Sequence, residues 1–115
     1  MTRTIWAVGL VALVAMGAQA QEPHARGQAV FENWCAPCHA PGARHPGTQA
    51  LEVLYKGVKP AALEQRTDLT PELTRAFVRT GVSVMPPFRK TEISDAQVDE
   101  ISAYIVSAAR ASKVP

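Results

Sequence analysis

The sequence predicts an all-α domain of three to five helices. Three observations point there. Apolar residues recur at helical spacing in separate stretches towards each end of the chain, residues that start and stop helices stand at the borders of those stretches, and no segment alternates in the manner of a strand.

The first of the 115 residues have a different character. Arg3 precedes an apolar run from Ile5 to Ala15, and the small-residue ending Ala18-Gln19-Ala20 follows. This is the pattern of a secretory signal peptide cut after Ala20, with an uncleaved N-terminal anchor as the alternative. The run is too short for a good transmembrane span. The expected organisation is a signal peptide over 1–20 and one domain over 21–115, with no membrane span in the mature form.

The first helix is expected from about His24 to Trp34, with Ala25, Gln28, Phe31 and Trp34 on one face. A short helix from about Thr48 to Tyr55 follows, stopped by Gly57, and a further turn starts at Pro60 and includes Leu63. The next helix has Thr70 as N-cap, Pro71 at its first position, Leu73, Ala76 and Phe77 facing inward, and Gly81 at its end. The last runs from about Asp95 to Arg110. Ser94 caps it, Gln97 completes a capping box, and Ile93 and Val98 form a hydrophobic staple. Its inward stripe is Val98, Ile101, Tyr104, Ile105 and Ala108.

Such a domain is marginal without help, because its aromatic content is thin: Phe31, Trp34, Tyr55, Phe77, Phe88 and Tyr104 after the leader. A bound apolar group in the middle would enlarge the core. Charge excludes more than it indicates. Twelve Lys and Arg stand against 10 Asp and Glu, with no basic stripe for nucleic acid and no basic amphipathic helix for a membrane surface.

The only two cysteines lie in Cys35-Ala36-Pro37-Cys38-His39, the C-x-x-C-H signature of c-type haem attachment. Two thiols three residues apart can each form a thioether with one haem vinyl group. The residue that follows then lies over the iron, where an imidazole can bind it. Pro37 stiffens the turn between them. Three other readings of the pair are a structural zinc site, a thioredoxin-like redox motif and a plain disulfide. Zinc needs four ligands, commonly two such pairs. The redox motif needs a βαβ setting that the chain lacks. A disulfide suits an exported protein but gives His39 no role. Haem attachment fits best, and export suits it.

A haem with iron bound on both faces needs a second ligand. Met85 is the only methionine left once the leader, with Met1 and Met16, is removed. It sits in Gly81-Val82-Ser83-Val84-Met85-Pro86-Pro87-Phe88, an apolar loop stiffened by proline. His24 and His45 are the rivals and are read as surface histidines: His45 follows His39 too closely to reach the opposite face, and His24 lies next to the expected new N-terminus. A thioether opposite an imidazole raises the potential and closes the iron to small ligands.

Gly27 and Phe31 before the C-x-x-C-H, the Met85 loop and Tyr104 in a final amphipathic helix resemble class I cytochrome c, over nearly the whole expected mature chain. That resemblance implies helices wrapped around one covalent haem c. Cys35 and Cys38 would anchor it, and His39 and Met85 would bind its iron. The first and last helices would cross closely at Gly27, with Phe31 and Tyr104 packed there. It also implies a proline carbonyl that accepts the imidazole Nδ1 hydrogen, and Pro46 in Arg44-His45-Pro46-Gly47 is the candidate, nearer the haem motif than in the mitochondrial type. A narrower resemblance covers Cys35 to Ala43, Leu63 to Thr70 and Gly81 to Lys90. These look like the cytochrome subunits of p-cresol methylhydroxylase and eugenol hydroxylase-type flavocytochromes, which implies an FAD-containing dehydrogenase subunit as redox partner.

Electron transfer in the periplasm is therefore the expected function, with no catalysis at the iron. The alternatives are a free-standing soluble carrier to a terminal oxidase and a catalytic or gas-binding haem protein. Arg44, Lys56 and Arg66 are candidate neighbours of the haem propionates. Arg89 and Lys90 are positioned to steer an acidic partner. Trp34 and Phe88 are expected beside the haem or at a docking surface.

Overall fold

Ser94 starts the longest helix, and the reason is local. Its hydroxyl accepts from the Gln97 N–H at 3.2 Å while the Gln97 side chain accepts from the Ser94 N–H at 2.8 Å, the expected capping box. In this computed structural model, which describes residues 22–113, that helix is the last of five: α1 (Pro23–Trp34), α2 (Ala36–His39), α3 (Pro46–Tyr55), α4 (Pro71–Thr80) and α5 (Asp95–Ala111). A 3-10 turn at Leu63–Gln65 lies between α3 and α4. No strand occurs among the described residues. The expected leader, residues 1–20, lies outside them.

The most extensive packing in the fold is α1 on α5. It depends on Gly27. A Cβ at that position would stand 2.1 Å from the Glu100 carbonyl oxygen and 3.0 Å from the Tyr104 Cβ. Glycine in a helix interior costs about 1 kcal/mol against alanine, and the close crossing offsets this by burying Phe31, Ile101, Tyr104 and Ile105. Phe31 and Tyr104 meet with ring centroids 5.2 Å apart at a tilt of 52°, a geometry favourable by about 0.5–1.5 kcal/mol beyond burial. An Arg26–Glu100 ion pair at 2.7 Å closes the crossing on its rim.

The inward face of α1 differs from the expected one. Ala25, Gln28 and Trp34 are on the exposed side, and Gly27 and Phe31 are the buried residues. In α4, Thr74 and Val78 are buried, Leu73 and Phe77 half-buried, and Ala76 exposed. The α5 stripe is as expected at Val98, Ile101, Tyr104 and Ile105, with Ala108 half-buried and Ala109 and Ser102 added. These helices share a core of Phe31, Leu69, Val78, Ile93, Val98, Ile101, Tyr104 and Ile105.

Both borders of α4 follow from the sequence. The Thr70 hydroxyl accepts from the Leu73 N–H, Pro71 occupies the first turn, and Gly81 takes a positive φ of 67° beyond the end. α3 starts two residues earlier than expected, at Pro46, because proline in the first turn has no N–H to leave unpaired.

Candidate functional site

The haem motif is the continuation of α1. The helix ends at Trp34, Cys35 turns the chain, and Ala36 to His39 form the single turn α2. Pro37 at its start donates nothing, and the Cys35 carbonyl accepts from the Cys38 N–H at 3.1 Å and the His39 N–H at 2.8 Å. Cys35, Cys38 and His39 therefore stand on one short turn at the edge of the core, with Cys35 and Ala36 packed against it.

Both cysteines are free thiols, so the disulfide reading does not describe this structure. Burial, and then the neighbouring Cys38, push the Cys35 thiol up to about 12. A thioredoxin-like redox pair needs a stabilised thiolate, and this environment does the opposite. Among the described residues no group of three or more His, Cys, Asp and Glu is placed to hold a metal ion, which leaves the zinc reading without its ligands.

The His39 ring is half-buried, and burial, followed by the charge of Arg66, lowers its pKa. That favours the neutral imidazole, the form that binds metals. The ring lies against Gly47 in α3: a Cβ there would stand 2.8 Å from His39 Cε1, 2.9 Å from Nδ1 and 2.7 Å from the Cys38 carbonyl oxygen. His39 Nδ1 is buried and has no hydrogen-bond partner among the described residues. The expected bond from Nδ1 to the Pro46 carbonyl is thus not formed here. Pro46 opens α3 instead, immediately before the glycine that abuts the ring.

His45 is not the plain surface histidine expected. It is half-buried, and its Nδ1 lies 3.2 Å from the Pro37 carbonyl oxygen, to which a protonated Nδ1 donates. Thr48, fully buried, donates to the Ala40 carbonyl at 2.8 Å. Together these two contacts fasten the start of α3 to the haem motif.

Met85 closes a tight turn between α4 and α5. The Val82 N–H donates to the Met85 carbonyl at 3.1 Å and the Met85 N–H to the Val82 carbonyl at 2.9 Å, with Ser83 at φ 54°. Gly81 makes the turn possible. A Cβ on it would stand 2.6 Å from the Met85 carbonyl oxygen, at a φ that L-residues avoid. The Met85 segment returns to the haem motif through one aromatic contact: Phe88, three residues on, meets Trp34 edge-on at 5.8 Å, and Trp34 adjoins Cys35. The Phe88 N–H donates to the Val78 carbonyl at 2.8 Å, which pins the segment to α4.

A family model described as "Cytochrome C oxidase, cbb3-type, subunit III" matches residues 22–105. The chain belongs to this family. It is a monohaem class I c-type cytochrome that carries covalent haem c and transfers electrons, and the all-α architecture agrees. No curated protein and no solved structure is significantly similar to it. Among the described residues, no helix is long and apolar enough to cross a membrane.

The residues of the cytochrome fit such a group. Two free thiols and a neutral imidazole stand on one turn, and Leu63, Leu73, Phe77 and Phe88 each rest on the core with part of their surface uncovered. Half-covered apolar side chains on the same core as Cys35 and Ala36 leave apolar surface that a porphyrin could cover.

Sequence reasoning missed the setting of Arg66. Only 6% of it is exposed. Its Nε and Nη2 donate to the two Asp68 carboxylate oxygens at 2.8 and 2.7 Å, and Nη1 donates to the Tyr55 hydroxyl at 2.9 Å. Lys59 adds a 2.8 Å bond to Asp68 and lies 4.4 Å from the Tyr55 ring centre. The guanidinium expected near a propionate is directed to Asp68 and Tyr55, and its charge reaches His39 from there. The spacing Arg66-Thr67-Asp68 was the available signal. Arg89 and Lys90 are likewise engaged within the chain, Arg89 with Glu92 at 3.4 Å and Lys90 with Asp95 at 2.7 Å.

Proposed function

We propose that this cytochrome is an exported electron carrier whose single haem is joined to Cys35 and Cys38 and whose iron is bound by His39 on one face and Met85 on the other. Haem c supplies a one-electron iron couple. The observation that carries the reading is the Trp34–Phe88 contact, which brings the segment bearing Met85 back to the residue before Cys35.

The protein's own contribution is positional and electrostatic. Gly47 leaves room for the His39 ring, and burial keeps that ring neutral. The Val82–Met85 turn, the Gly81 conformation and the two following prolines restrict Met85 before any iron is bound, so little entropy is lost on ligation. The contact of His45 with Pro37 keeps that histidine beside the haem motif, which favours Met85 over His45 as the second ligand. Pro46 acts on His39 by fixing where α3 begins. A ligand on each face leaves no open position for oxygen or an organic substrate, which favours electron transfer over catalysis or gas binding.

Residues 1–20 support export, and export supports a periplasmic location, where covalent haem attachment suits the C-x-x-C-H motif. The family's description names a cytochrome c oxidase, which makes a terminal oxidase the acceptor of choice. On the donor side, the likeness of Cys35 to Ala43, Leu63 to Thr70 and Gly81 to Lys90 to flavocytochrome subunits favours an FAD-containing dehydrogenase that oxidises alkylphenols. Co-purification from the native host distinguishes a subunit, which arrives with a flavoprotein or an oxidase, from a free carrier, which arrives alone.

The test of ligation is Met85→Ala. The wild type is expected to show the weak far-red band of sulfur-bound ferric haem and to resist carbon monoxide. The variant should lose the band, bind carbon monoxide readily and move to lower potential. An unchanged spectrum and potential would remove Met85 from the iron.

A further inference from the structure

Phe88 is tied to α4 by both of its backbone polar groups. Its N–H donates to the Val78 carbonyl at 2.8 Å, and its carbonyl accepts from Arg79 Nη1 at 3.0 Å. Two adjacent residues in the last turn of α4 thus hold one residue of the segment that carries Met85. We infer that Arg79 is a positioning residue for Met85: by pinning Phe88 to α4 and to the start of α5, it keeps the Met85 thioether from leaving the iron. The inference rests on the ligation reading above and adds the side chain that maintains it.

The sequence makes Phe88 the first place where the chain can be fastened after Met85. Met85 spends its own N–H and carbonyl on Val82, inside the turn. Pro86 and Pro87 have no N–H to give, and their rings fix φ. A displacement of Met85 is therefore passed along a stiff dipeptide to Phe88. At the other end of the segment the Gly81 N–H caps α4 on the Phe77 carbonyl at 2.9 Å. The Val78 carbonyl lies in the last turn of α4, where helix carbonyls lack partners, so its bond to Phe88 completes the helix as well as holding the segment. The bond from Arg79 meets no such need of the helix and acts on the segment alone.

Arg79 is itself fixed. Its Nη2 donates at 2.8 Å to Asp95, the first residue of α5, and Lys90 reaches the same carboxylate at 2.7 Å. Bonds from Lys90, then Arg79, hold the Asp95 carboxyl well below the ordinary range, so it is charged throughout the neutral range. The Arg79 side chain is 19% exposed, and its Nε is buried with no hydrogen-bond partner among the described residues. A buried unpaired donor is costly, and an arginine that served only to pair with Asp95 could stay in solvent. Arg75 does so one turn earlier. It is 41% exposed, pairs with Asp95 at 3.4 Å and with Asp99, and makes no hydrogen bond to residues 82–88. Arg75 thus joins α4 to α5 without holding the Met85 segment, which makes it the control.

The experiment titrates imidazole into the ferric, haem-loaded protein and follows the far-red band. Imidazole binds where Met85 has left the iron, so its apparent Kd falls in proportion as the displaced state becomes more populated. Arg79→Met keeps the stem and removes the donors. It should bind imidazole about tenfold more tightly than the wild type, equivalent to about 1.4 kcal/mol. Arg79→Lys reaches one partner at a time and should fall between the two. Arg75→Met should stay within about twofold of the wild type, because exposed pairs contribute little, although it removes two ion pairs between the same helices. Hydrogen exchange at the Phe88 amide should quicken in Arg79→Met and not in Arg75→Met.

Wild-type imidazole affinity in Arg79→Met, or unchanged exchange at Phe88, overturns the proposal. So does an equal gain in Arg75→Met, which would trace the effect to a general loosening of α4 on α5. If Arg79→Met does not mature with haem, Arg79→Lys decides alone: an affinity above that of Arg75→Met supports the proposal, and wild-type affinity overturns it. Failure of the ligation reading looks different: the wild type has no far-red band to lose, or Met85→Ala keeps it.

Discussion

Gly27 in α1 lies directly beneath the Glu100 carbonyl in α5, so close that a Cβ added to Gly27 would stand 2.1 Å from that oxygen. The atom that would be displaced is backbone, and α5 cannot yield without opening the core around Phe31 and Ile101, each 1% exposed. Gly27→Ala is therefore expected to destabilise the holoprotein by about 3 kcal/mol, at the upper end of overpacking effects, despite alanine's better helix propensity. Thermal unfolding followed by far-UV circular dichroism measures this. A neutral or stabilising result would mean that the two helices do not cross at this point.

Tyr104 donates its hydroxyl to Glu64 and so ties α5 to the 3-10 turn. Burial, and then the Glu64 carboxylate, hold the phenol above its ordinary range. In Tyr104→Phe the ring contacts with Phe31 and His24 can persist while Glu64 loses its donor. The expected cost is about 1.5–3 kcal/mol, that of a hydrogen bond to a charged group. Comparing chemical denaturation of Tyr104→Phe with that of the double variant Tyr104→Phe/Glu64→Gln separates the bond from the ring. The second change should cost little more once the donor is gone.

Gly81→Ala should disturb the site as well as stability. Its φ of 67° is costly for alanine, and the new Cβ would meet the Met85 carbonyl oxygen at 2.6 Å. A loss of about 1–3 kcal/mol is expected, together with a weakened far-red band, because the displaced atom belongs to the proposed ligand residue. Loss of stability with an unaltered spectrum would separate the turn from iron binding.

Asp68 supplies a pH dependence whose sign follows from its partners. Hydrogen bonds from Arg66, assisted by Lys59, hold its carboxyl well below the ordinary 3.8. The folded state therefore favours the ionised form. The stability this contributes is complete above pH 3.8 and is lost as the pH falls through and below that value. Asp68→Asn is expected to lose about 1–2 kcal/mol at neutral pH, less than for a fully buried pair because Asp68 faces solvent. Its acid limb should be flatter, so the two proteins converge below pH 3.8. Urea denaturation of both haem-loaded proteins across the acid range checks it. Parallel curves would show that Asp68 is not linked to folding.

Local signals made some elements legible and left others hidden. The ends of α4 and the start of α5 could be read because Thr70-Pro71, Gly81 and the Ser94–Gln97 box act within a few residues. Apolar periodicity alone puts Ala25, Gln28 and Trp34 on the inward face of α1 because it gives no weight to glycine, whereas the likeness to class I cytochrome c places Gly27 and Phe31 at the crossing with α5, where they are. α2 is one turn long, too short for any periodicity. The burial of Arg66 depends on Tyr55, eleven residues away, and on a charge pair that a sequence shows only as two polar residues in a loop. At the site, the attachment triplet was legible as a motif, and Met85 as a lone methionine among prolines. The room that Gly47 leaves for the His39 ring, and the contact between Trp34 and Phe88, are tertiary facts with no local trace.

Peptide mass spectrometry of the protein matured in its own host reaches the foundation of this account. Trypsin should release residues 27–44, bounded by Arg26 and Arg44, as one peptide that contains Cys35, Cys38 and His39. The account predicts that this peptide carries the added mass of one haem, retained after acid denaturation and removal of free haem. The same peptide with two unmodified thiols, or with a disulfide between them, would contradict it.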